Sequence, residues 1–98
     1  MSIENEYLVE KLKFLMLFAQ VGSEREKEIL ELANKIGEFL DNKPVLDVLL
    51  SLSAVMEEAI YQFCKSLKSE EQKYAFIDAY FEAHKEAIEV SLRKRGVL

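Results

Sequence analysis

The chain predicts an all-α fold, and three observations predict it. Half of its 98 residues are hydrophobic while only three are glycine and one is proline. That composition is too apolar for disorder and too poor in turn residues for an all-β fold. Apolar residues recur at three- and four-residue spacing through most of the chain. The breaks carry helix-start chemistry: Ser23 with Glu26 and Ser69 with Gln72 read as capping boxes, and Pro44 after Asp41-Asn42-Lys43 reads as a first-turn proline. Four helices follow, Ile3–Gln20, Glu24–Leu40, Pro44–Leu67 and Glu70–Lys94, with Gly96 at the place of a C-cap glycine. Connections this short favour antiparallel neighbours. The expected architecture is one domain over residues 1–98, either an up-down-up-down four-helix bundle or two helical hairpins that interlock with a second copy.

Taken in order, the first helix carries a wide apolar arc through Leu8, Leu12, Phe14, Leu15, Met16 and Phe18. The second is an outer wall, with Ile29, Leu32, Ile36, Phe39 and Leu40 on one stripe and Glu28, Glu31, Glu38 and Asp41 opposite. The third is wide again, from Val45, Leu49 and Leu52 to Met56, Ile60 and Phe63. In the fourth, Asp78, Glu82, Lys85, Glu86, Glu89 and Arg93 fall in a sector of about 100°, so roughly two thirds of the circumference is apolar or small.

That last helix holds the most informative pattern. Ala75, Ala79, Ala83, Ala87 and Ser91 fall at every fourth position and line up as one ridge of small side chains, which lets a second helix approach closely. Phe76, Tyr80 and Ile88 stand beside the ridge and complete the predicted helix-packing interface. A single bundle needs about three apolar positions per heptad from each helix. Three of these helices exceed that, and surplus apolar surface is most simply buried against another chain. A homodimer is expected, because two-fold closure is the commonest symmetry.

Charge and processing signals set further bounds. With 18 acidic and 13 basic side chains the formal charge is −5, which disfavours nucleic acid and anionic membrane as partners. The run Arg93-Lys94-Arg95 suits a helix C-terminus. Cys64 is the lone cysteine, so an intrachain disulfide is excluded, and it reads as a small buried hydrophobe. The acidic start Glu4-Asn5-Glu6 is unlike a signal peptide, and the uncharged stretch Phe14 to Gly22 is too short for a bilayer span of about 20 residues. A cytoplasmic location is expected.

Candidates for chemistry are few. His84, the one histidine, projects from the apolar arc of the fourth helix, where it is expected inside the bundle or at a subunit seam; with Met56, Tyr80 and Phe81 it forms a candidate small-ligand set. Glu28-x-x-Glu31 followed by Glu38-x-x-Asp41 has the paired-acid spacing that a magnesium-dependent nucleotide hydrolase would use, but both pairs lie on one helix and read as its solvated face. There is no glycine-rich phosphate loop, no nucleophile elbow and no cysteine-histidine zinc pattern. Neither catalytic residues, metal nor cofactor is expected. The chain reads as a non-enzymatic protein-binding or regulatory module acting as a homodimer, with a small-ligand-binding helical module as the alternative.

Overall fold

In a computed structural model the chain is described over residues 3–98, with side chains from Asn5 onward. It is all-α: α1 (Ile3–Glu24), α2 (Glu26–Leu40), α3 (Val45–Cys64) and α4 (Glu70–Lys94), with no strand among the described residues. No helix among the described residues is long and apolar enough to cross a membrane.

Local chemistry explains the boundaries. α4 starts where its capping box predicts: the Ser69 hydroxyl accepts from the Gln72 backbone N–H at 3.1 Å, and the Gln72 side chain reaches back to accept from the Lys68 N–H at 3.1 Å. It ends as Gly96 predicts. With φ at 77°, Gly96 enters the left-handed region, its N–H bonds to Arg93 and the Val97 N–H to Leu92, which together make a Schellman cap. Between α2 and α3, Asp41 (φ −59°, ψ 139°) and Asn42 (φ 65°) form a type II turn closed by the Lys43 N–H on the Leu40 carbonyl at 3.1 Å. Asparagine is among the few residues that accept this backbone readily. Pro44 immediately precedes the first residue of α3.

Two expectations need correction. Ser23 does not cap α2: it lies inside α1, which runs on to Glu24, and Arg25 alone separates the two helices. The Arg25 N–H bonds to Val21 at 2.9 Å and its carbonyl accepts from Ile29 at 3.0 Å, so helical bonding continues on both sides of the break. α3 ends at Cys64, short of Leu67, because the Phe63 carbonyl is taken by the Ser66 hydroxyl at 2.6 Å and the Ser66 N–H at 3.0 Å.

The helices gather into two units. One holds α1 as far as Gln20 with Leu67–Leu98, and so contains α4; the other, Val21–Ser66, contains α2 and α3. In the first, Phe14, Ala75, Phe76 and Ala79 are buried, and these four are the full buried core among the described residues. The second has no buried residue on either helix. Val48, Met56, Ile60 and Cys64 on α3 are half-buried along one stripe, while Phe39, Val45, Leu46 and Leu50 are 71–80% exposed.

Candidate interaction surface

The α1–α4 unit is organised by a crossing of its two helices. Phe14 of α1 stands edge-on to Phe76 of α4, with ring centroids 5.3 Å apart, and Phe18 adds edge contacts to Phe76 at 5.6 Å and Tyr80 at 6.1 Å. Such geometries place a positive ring edge against a negative face. Ala75 and Ala79, on the same side of α4, are fully sealed. On the other flank the Tyr7 hydroxyl donates to the Asp78 carboxylate, and the Lys11 ammonium meets Glu82 at 2.6 Å. Contacts on both flanks of α4, reached from either side of Phe14, are what two crossing helices make.

Those polar contacts shift two ionisations. The hydrogen bond to Asp78 holds the Tyr7 hydroxyl above its ordinary pKa, with desolvation and the Asp78 charge acting in the same direction. The Lys11 ammonium is likewise raised, chiefly by its hydrogen bond to Glu82.

The crossing divides the small-residue ridge. Ala75 and Ala79 are consumed within the unit, whereas Ala83 and Ser91 are half-buried and Ala87 is exposed. These three residues line an open groove of about 870 Å³. Leu15, Phe18 and Ala19 of α1 form one wall, and Val90 joins the alanines on the floor. Glu82 and Glu86 edge the groove at one end, Lys94 and Arg95 at the other. Of the remaining interface residues, Phe76 is buried, Tyr80 half-buried and Ile88 45% exposed. The α1 wall and the opposed charges at the groove ends were not singled out from the sequence, although the 4-3-4 spacing of Ala83, Ala87, Val90 and Lys94 carries a heptad signal.

The candidate ligand residues fall in both units. Met56 belongs to the α2–α3 unit, while Tyr80, Phe81 and His84 belong to the α1–α4 unit. There Tyr80 contacts Phe81 edge-on at 5.6 Å and stacks on His84 at 5.8 Å. None of these residues lines the groove. His84 is exposed, beyond the point where the α1 rings meet α4 at Phe76 and Tyr80.

Glu28, Glu31, Glu38 and Asp41 are all exposed, and no group of three potential metal-ligating side chains gathers among the described residues. Cys64 is half-buried at the end of α3. No protein family, curated protein or solved structure is detectably similar to this chain.

Proposed function

We propose that the chain is a non-enzymatic interaction module that acts as a homodimer and, in that form, binds and regulates another macromolecule. The observation that carries this reading is a mismatch between core and surface. Four buried residues among the described ones, two of them alanine, are little hydrophobic core for a chain of 98 residues.

Large apolar side chains stand exposed on the helices. Leu32, Phe39, Val45, Leu46, Leu50 and Val55 are 60–80% exposed. At about 25 cal/mol per Å², covering such side chains is a strong drive to association. Helical hairpins interlocked with a second copy accommodate this surface better than a closed monomeric bundle, which would have to bury it within one chain. Because folding and association are then coupled, the thermal midpoint rises with chain concentration. A midpoint independent of concentration over a hundredfold dilution contradicts the reading.

A further inference from the structure

We propose that the groove beside α4 receives the C-terminal half of α4 from a second copy, packed antiparallel, a pairing that rests on the homodimer reading above. Among the α4 residues that line the groove, Ala83, Ala87, Val90 and Lys94 follow the 4-3-4 spacing of a coiled-coil seam. Alanine at two of these positions allows the axes to approach to about 8 Å, the close end of ordinary helix packing. Nothing in the α1–α4 unit covers this stretch, whereas the preceding turn of the same ridge, Ala75 and Ala79, is sealed.

Charge selects both the occupant and its direction. Glu82 and Glu86 lie at one end of the groove and Lys94 at the other, so the chain is complementary to itself when reversed. Parallel pairing would put Lys94 against the partner's Lys94 in the seam. Antiparallel pairing sets Ala87 opposite the partner's Val90 and Ala83 opposite the partner's Lys94, whose stem lies over the small side chain. Two-fold antiparallel packing also brings like flanks together, and Glu86 and Arg93 share a flank, seven residues apart. Glu86 therefore meets the partner's Arg93 and Lys94, twice per dimer. Glu86 and Lys94 have no ion-pair partner within the chain among the described residues, while Glu82 is held by Lys11 and Arg93 by Glu89.

The test uses the full chain in sedimentation equilibrium at moderate salt. Glu86→Lys and the double variant Arg93→Glu/Lys94→Glu each place like charges at both contacts. Each alone is expected to dissociate about tenfold more readily than the native chain, with helical circular dichroism retained. An equimolar mixture of the two restores opposite charges at both contacts and recovers native association, which a folding defect could not do. A native dimer whose association neither variant changes, or weakened variants that mixing does not restore, overturns the groove pairing while leaving the homodimer standing. A native monomer overturns both.

Discussion

Phe14 and Phe76 meet edge-to-face, their ring centroids 5.3 Å apart and their planes at 83°, and both rings are buried where α1 crosses α4. The sealed alanines Ala75 and Ala79 share that crossing, and the same ridge one turn further on is open. One periodic pattern is thus sealed along its first half and open along its second.

The two halves of the ridge respond differently to the same substitution. Ala79→Leu overfills a fully sealed position and should lower stability by about 1–3 kcal/mol. Ala87→Leu adds bulk at an exposed position with little change in helix propensity, so the far-ultraviolet circular dichroism stays native while self-association changes. Paired thermal melts and sedimentation profiles separate these outcomes, and equal loss of stability from both contradicts the division.

Alkaline pH should loosen the α1–α4 contact. Tyr7 and Lys11 both have folded pKa values above their ordinary ones, so each contributes stability that is fully present below the unfolded pKa and is lost as pH rises through the folded pKa. The window lies above about pH 10. Thermal midpoints at pH 8 and pH 11 should differ more for the native chain than for Tyr7→Phe, which removes the ionising hydroxyl and its bond to Asp78. An equal alkaline loss in both chains counts against the Tyr7 contribution.

Ser69→Ala removes the acceptor for the Gln72 N–H at the start of α4 and should cost about 1 kcal/mol. Ser23→Ala, by contrast, changes a residue within α1 whose predicted cap is not formed and should be close to neutral. Denaturant midpoints for the two variants measure the difference.

The contrast between these serines shows what is legible from sequence. Ser69, Gln72 and Gly96 are readable because each cap is completed by bonds within a few residues. Ser23 and Glu26 offer the same letters, yet the Val21 carbonyl still accepts from Arg25, and α1 runs past Ser23 to Glu24. The ridge is readable as a ridge because four-residue spacing fixes a face. Its division is not, because that depends on where Phe14 crosses, a tertiary fact. The exposure of His84 has the same origin, and the groove is legible only in part: its floor is periodic in sequence, its wall comes from α1.

The central claim is that the exposed apolar surface belongs to an interface between two copies. Sedimentation equilibrium at micromolar concentration measures this most directly. About twice the 11.4 kDa chain mass is expected, falling toward the chain mass only on dilution. A single species at the chain mass throughout the micromolar range, with native helical content, contradicts it.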